Sequence, residues 1–428
     1  LRADFLAYLV NATRSHGSVV RLNPGPGTYL YLLNHPDLTR KVLVSHADQF
    51  RKSAMTQKMV RRFLGNGLIL NEGEPHKRQR KLTQPAFQKK RVESYAESMV
   101  ELTEQEMANW LHSETFDFEK SMVKLTMHIV ARTLFGTRVY GGTEKVGQIM
   151  EIFADAISGQ FRALPLPEWM PIPRHLRQRA AVAQMDELIA RMVTDWRKEG
   201  KDHGDLMSML LLARDEDTGE GMDGQQLRDE LVSTYFAGHE TVAKLMSWVV
   251  YLLTQHPAVA LQLQEEIQGV LGGQLPTTAD LPQLVYLDQV IKETLRLYPS
   301  AWVFDRMPVQ DVEMMGYQIP AGETIYLSPY VSHRDERFFK RPNEFLPERF
   351  TAGWEKRIPR YTYYPFGAGS RVCIGQAFAE MEAKLILATI LSKFEFKLAT
   401  SEPIVPEPGA TLRPKSGLPV KVRPILNS

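Results

Sequence analysis

A single cysteine in 428 residues, Cys373, excludes an intrachain disulfide, a Cys-rich zinc site and an all-cysteine iron–sulfur cluster. Its sulfur is either inert packing or a solitary reactive or metal-binding thiolate. Charge of one sign is also missing. The 52 Lys and Arg against 50 Asp and Glu give a net charge of +2, without the strongly basic domain that nucleic acid selects. No apolar run approaches the ~20 residues that span a bilayer, and the longest, around Trp248–Leu253, has core-helix length. Low-complexity segments and fixed-period repeats are absent. So are a phosphate loop ending in Gly-Lys-Ser/Thr and a Gly-x-Ser-x-Gly elbow. His239-Glu240-x-x-Ala243 lacks the second histidine of a zinc-peptidase helix, and Val372 stands where a dinucleotide fingerprint after Gly367-x-Gly369 needs glycine.

What is present is an ordinary globular composition, 43% hydrophobic and 24% charged, able to bury a large core. Without disulfides the chain suits a reducing compartment, and the cytoplasm is the expected location. It opens at Leu1, which leaves room for a trimmed leader or anchor. Tyr29–Leu33 reads as a strand after a Pro-Gly turn, followed by a helix over Pro36–Ser45 with proline in its first turn. Residues 89–199 are mostly helical, interrupted by a Pro165–Pro173 loop. Asp223-Gly224 opens a helix running to about Gln255. There Leu227, Leu231, Tyr235, Val242, Leu245, Val249 and Leu252 keep three- and four-residue spacing. Further helices read over Leu284–Tyr298 and Ile374–Lys393. Gly316–Pro320, Thr324–Leu327 and Leu418–Val422 read as extended, Arg341–Pro365 as a meandering loop and Pro403–Pro414 as a turn-rich tail. The expected fold class is mainly α with a small β region, in one domain over 1–428.

Around the cysteine runs Phe366-Gly367-Ala368-Gly369-Ser370-Arg371-Val372-Cys373-Ile374-Gly375, then an amphipathic helix. The sulfur is thus expected at a helix N-terminus, where backbone N–H groups and the dipole favour a thiolate. Gly367 and Gly369 permit a tight loop, and Gly375 lets the helix pack close. Arg371 is placed to neutralise an anionic group on a ligand. Phe366-x-x-Gly369-x-Arg371-x-Cys373-x-Gly375 resembles the haem-binding signature of the cytochrome P-450 superfamily, with every diagnostic position filled. The resemblance implies haem b (iron protoporphyrin IX) with Cys373 as axial thiolate, sandwiched between the cysteine loop and the long central distal helix.

Ala237-Gly238-His239-Glu240-Thr241 is similar to the family's oxygen-activation motif. The resemblance gives Gly238 the role of leaving room for dioxygen, Thr241 that of orienting water and oxygen, and Glu240 that of relaying protons. A packing glycine and a threonine bonded to its own i−4 carbonyl are the plain alternative. Val242 stands where many relatives carry a second Ser or Thr. Glu293-x-x-Arg296 and Pro347-Glu348-Arg349-Phe350 are similar to elements that the family buries together. That implies a structural Glu293–Arg296–Arg349 cluster pinning the meander. His76 and Arg80, one turn apart, together with Arg306, stand where relatives meet the haem propionates; relatives usually carry tryptophan at the first position. His333 in His333-Arg334-Asp335 reads as structural.

The resemblance further implies a monooxygenase that takes O2 and an apolar substrate, either a fatty acid or a terpenoid or carotenoid. The expected substrate-pocket residues are Ala237, Ala301, Val303, Phe304 and Ala410. Only 55 residues follow Cys373, too few for a reductase. Electrons are therefore expected from a ferredoxin- or flavodoxin-type donor with an NAD(P)H-dependent reductase. Lys77, Arg78, Lys81, Lys89, Lys90 and Arg91 are the candidate docking stretch. The rival readings are a haem-thiolate peroxygenase or isomerase, and a non-catalytic haem ligand-binding or sensor protein.

Overall fold

A computed structural model describes residues 4–25, 28–110, 114–136, 142–159, 170–215 and 218–425. Its contacts gather into two compact units, Leu1–Lys58 with Val285–Gln376, and Met59–Leu284 with Ala377–Ser428.

The first unit is built on a five-stranded sheet. Its order is Val19–Gly25, Thr28–Leu33, Thr324–Leu327, Phe304–Pro308 and Phe50–Arg51. Thr28–Leu33 pairs in parallel with Thr324–Leu327, placing Leu32 opposite Tyr326; the other pairings are antiparallel. Leu32 and Leu33 are both fully buried, so this strand is covered on both faces. That explains why its sequence is continuously apolar rather than alternating. Pro36 opens a helix that ends at Arg40 and passes into a π-turn over Lys41–Ser45, where one unbroken helix was expected. Helix Val285–Leu297 and the 3-10 turn Pro347–Phe350 complete the part of this unit that matters for the site.

The second unit is organised by the 32-residue helix Gly224–Gln255, about 48 Å long. Asp223 caps it, its carboxylate accepting from the Gln226 amide at 2.7 Å. Buried side chains occur on every face of this helix, as in a helix that crosses a core rather than lying on one. Helix Phe118–Phe135 packs along it. A three-stranded sheet (Phe116–Asp117, Pro419–Pro424, Phe394–Leu398) and a hairpin (Pro406–Pro408 with Leu412–Pro414) close the unit. The hairpin replaces the expected turn-rich tail. It pairs Pro406 with Pro414, and prolines argue against a strand unless they sit at its ends, as here. The Trp248 indole N–H donates to the Leu412 carbonyl at 2.9 Å, tying the central helix to the hairpin. Most of the expected Pro165–Pro173 loop lies outside the described residues; a helix starts at Pro173. The fold is mainly α with a small β region. Among the described residues no helix is long and apolar enough to cross a membrane.

Candidate functional site

In the first unit the cysteine loop is closed by its own backbone. The Gly367 amide donates to the Tyr364 carbonyl at 3.0 Å, that of Val372 to Gly369 at 3.1 Å, and that of Cys373 to Phe366 at 2.9 Å. Gly367 and Gly369 have φ of +75° and +69°, the left-handed region that glycine adopts without strain. A Cβ on Gly369 would lie 2.0 Å from the Leu43 carbonyl oxygen, whereas one on Gly367 would meet Phe304 at 3.7 Å. Gly369→Ala therefore adds a clash with backbone to the ~1–3 kcal/mol of left-handed strain, while Gly367→Ala carries the strain alone. Urea midpoints of the two variants, with haem content alongside, should fall in that order.

Cys373 itself is exposed and lies three residues ahead of helix Gln376–Leu391. The helix was expected to begin near Ile374; it starts two residues later, because a turn at Ile374-Gly375 separates Cys373 from its N-terminus. Arg371 and Phe366 are half-buried, as are Gly369 and Gly375. Arg306 is half-buried on strand Phe304–Pro308 and donates to the Asp305 carbonyl at 2.7 Å. The loop's approach is fixed from behind. His333 is fully buried, and burial, then Arg296 and Arg334, push its pKa down to about 3. As neutral imidazole it accepts at Nε2 from the Tyr364 amide at 3.0 Å. A soft sulfur donor and nearby guanidinium groups suit an iron porphyrin with its carboxylates.

Beneath the loop, Glu293 and Arg296 are both 0% exposed. Arg296 forks onto the carboxylate (Nε to Oε2 2.6 Å, Nη2 to Oε1 2.8 Å) and donates Nη1 to the carbonyls of His333 and Pro342. Glu293 Oε1 also accepts from the Leu346 amide at 2.9 Å and from Arg349 Nε at 3.2 Å. Ala301, Val303 and Phe304 follow this helix and are half-buried.

In the second unit the motif on the central helix is more tightly engaged than the sequence suggests. A Cβ on Gly238 would meet Val130 at 3.0 Å, so this glycine has a packing reason, the approach of helix Phe118–Phe135. Thr241 donates its hydroxyl to the Ala237 carbonyl at 2.8 Å, the i−4 bond of the plain alternative. Its oxygen retains acceptor capacity. Ala237 and Thr241 are half-buried.

Glu240 is buried. It accepts from Thr411 Oγ1 at 2.9 Å and faces Lys244 Nζ at 3.5 Å. Burial pushes its carboxyl pKa up, but Lys244, His239, Thr411 and Arg413 together outweigh that and hold it below the usual range. Lys244 in turn reaches Glu119 at 2.7 Å. The i,i+4 spacing of Glu240 and Lys244 was a usable sequence signal. Nothing local could have announced Glu119 or Thr411. Ala410 donates its amide to Ser158 Oγ at 3.0 Å and packs against the unit's core.

His76 is buried and Arg80 half-buried on helix Gly73–Thr83. Much of the basic stretch around them is satisfied internally. Lys77 pairs with Glu74 at 2.6 Å, Arg78 with Asp215 and Glu220 at 3.6 Å, Lys89 with Glu93 at 3.8 Å, and Arg91 donates to the Gly204 carbonyl. Lys81 and Lys90 are exposed.

A family model described as Cytochrome P450 matches residues 2–422. The chain is 35% identical over 416 residues to Cyclooctatin synthase of Streptomyces melanosporofaciens, across 96% of this chain and 88% of that one. It is 36% identical over 400 residues to Cyclooctat-9-en-7-ol 5-monooxygenase of the same organism (93% and 85%). To Pentalenene oxygenase of Streptomyces avermitilis it is 34% identical over 411 residues (95% and 88%).

Proposed function

The chain belongs to the cytochrome P-450 family, and from that premise we propose that it hydroxylates or epoxidises a terpenoid skeleton, with haem b whose iron the Cys373 thiolate would hold. It is a haem-dependent monooxygenase, consuming O2 and an organic substrate with electrons from a redox partner. The terpenoid class is supported by relatives named for an alkene, pentalenene, and for an unsaturated alcohol, cyclooctat-9-en-7-ol. The electron donor is of ferredoxin or flavodoxin type with its NAD(P)H-dependent reductase, in the cytoplasm, and residues 1–428 serve as one haem-binding domain. The observation that carries the reading is the cysteine loop. An exposed sulfur is presented by a loop that three of its own amides, those of Gly367, Val372 and Cys373, close onto local carbonyls.

Haem iron, when bound, supplies dioxygen activation and O–O cleavage. The chain's residues supply the rest. Cys373 donates its sulfur. Arg371 and Arg306 in the first unit, and Arg80 and His76 in the second, would hold carboxylates of the cofactor by charge and hydrogen bonds. For substrate, the first unit offers apolar Ala301, Val303 and Phe304, and the second offers Ala237 and Ala410. Glu240, kept ionised by Lys244 and Thr411, is a proton carrier, and the Thr241 hydroxyl orients water and oxygen. Proton transfer by a positioned side chain contributes on the order of 10²-fold or more. Glu240→Gln and Thr241→Val should therefore lower product formed per NAD(P)H consumed by about that factor, with haem content unchanged.

The test of the reading is reconstitution with haem and surrogate redox partners, a spin-shift screen of cyclic terpenes and product analysis under 18O2. A hydroxylated or epoxidised product carrying one labelled oxygen supports it. Turnover by peroxide alone, or spin-shifting ligands that are never oxidised, would overturn it.

A further inference from the structure

The charges buried around Glu240 do not balance. Lys244 Nζ stands 2.7 Å from Glu119 Oε1 and 3.5 Å from Glu240 Oε1, and the three side chains are 5%, 11% and 8% exposed. One ammonium thus serves two carboxylates. The neighbours do not make up the difference. Thr411 is neutral and donates to Glu240. Arg413 acts on Glu240 and Glu119 only through space, and pairs directly with Glu407 at 3.1 Å and Asp155 at 3.7 Å. His239 bonds through Nδ1 to the Tyr235 carbonyl at 2.8 Å, and burial favours its neutral form. Asp117, at the N-terminus of helix Phe118–Phe135, accepts from the amides of Glu119 and Leu418 and adds negative charge. With every acid ionised the trio would carry a net −1 away from water, an arrangement that one bound proton relieves.

We infer that Glu119 and Lys244 are the proton-loading arm of Glu240, with Glu119 holding the proton on the more exposed side and Lys244 passing one on. This rests on the reading that Glu240 carries protons for the reaction. The exchange balances without a co-reactant. An N–H of the Lys244 ammonium breaks as its proton bonds to Glu240 Oε1, while the Glu119 O–H breaks and its proton restores the ammonium. Solvent then reprotonates Glu119. Both acceptor oxygens already face the same nitrogen, so the transfer needs sub-ångström shifts of the lysine head rather than a rotamer change. Burial raises the Glu119 carboxyl, which makes it the acid of the two that holds the resting proton; Glu240 is held below its usual range and Lys244 above, so the handover to Glu240 runs uphill and is drawn only as the reaction consumes the Glu240 proton. Lys244 and Glu119 act through Glu240 and are positioning residues.

Infrared spectra of the resting protein in H2O and D2O near neutral pH test this without substrate or turnover. Wild type should show a protonated-carboxyl band that disappears in Glu119→Gln. The difference spectrum isolates it from Glu230, whose pKa burial pushes up to about 7, and from Glu382, raised well above the ordinary range; both are unchanged in the variant. Lys244→Arg should keep the wild-type spectrum. The double variant Glu240→Gln with Lys244→Met removes one charge of each sign, covers the case in which loss of the lysine alone prevents folding, and should keep the carboxyl band. In turnover, Glu119→Gln should lower product per NAD(P)H about tenfold and enlarge the solvent isotope effect, with substrate spin-shift affinity unchanged. An unchanged carboxyl band and isotope effect in Glu119→Gln would overturn the loading arm, even with Glu240→Gln impaired. Unimpaired Glu240→Gln would instead overturn the reading it rests on.

Discussion

Glu293→Ala should lose about 3–5 kcal/mol of stability, the cost of leaving a buried charge uncompensated. The carboxylate is 0% exposed and takes two bonds from Arg296, one from Arg349 and one from the Leu346 amide. Removing it strands a guanidinium that is itself 0% exposed and already holds the carbonyls of His333, Pro342 and Glu344. Those carbonyls belong to the segment that leads into Tyr364 and the cysteine loop, so the damage spreads from one helix to the loop's foundation. A whole domain is stable by only ~5–15 kcal/mol, so the loss consumes a large share. Glu293→Gln keeps the shape and some of the hydrogen bonds without the charge, and should fall between wild type and alanine. Arg296→Lys should resemble Glu293→Ala, because an ammonium cannot fork onto a carboxylate and reach three carbonyls as well. Urea unfolding of the haem-free proteins gives the order, and poor haem retention should accompany it.

Much of this was legible in the sequence where the signal was local. The Gly367–Gly369 loop, the Glu293–Arg296 spacing and the apolar period of the central helix each rest on residues within a few turns of one another. The Tyr29–Leu33 strand was legible because its neighbours cover both faces of Tyr31–Leu33 and its composition shows it. What was not legible came from distant pairings. Lys244 meets Glu119 across 125 residues of chain, and Thr411 reaches Glu240 across 171. The Pro406–Pro408 strand was hidden by prolines that the hairpin tolerates at its ends. Gly238 illustrates a third kind of gap. A motif suggested space for a ligand, while Val130 on a neighbouring helix occupies the direction its Cβ would take. No spacing rule within one helix reports what stands opposite it.

Cys373→Ala should do the reverse of Glu293→Ala: abolish the chemistry and spare the fold. The side chain is exposed, and the Cys373 amide closes the loop by donating to the Phe366 carbonyl at 2.9 Å. Alanine keeps that amide. Surface substitutions away from special features usually change stability by less than ~0.5 kcal/mol, so the haem-free variant should unfold with wild type. Because the chain has no other cysteine, no second thiolate is at hand to replace the lost one. Activity should fall to the background of free haem.

The most direct measurement is the carbon-monoxide difference spectrum of the reduced, haem-loaded protein, wild type against Cys373→Ala. The thiolate-ligated band should be present in the first and absent from the second, at equal urea midpoints of the haem-free forms. A thiolate band that survives in Cys373→Ala, or is missing from haem-loaded wild type, would contradict the assignment of Cys373 as the ligand of iron.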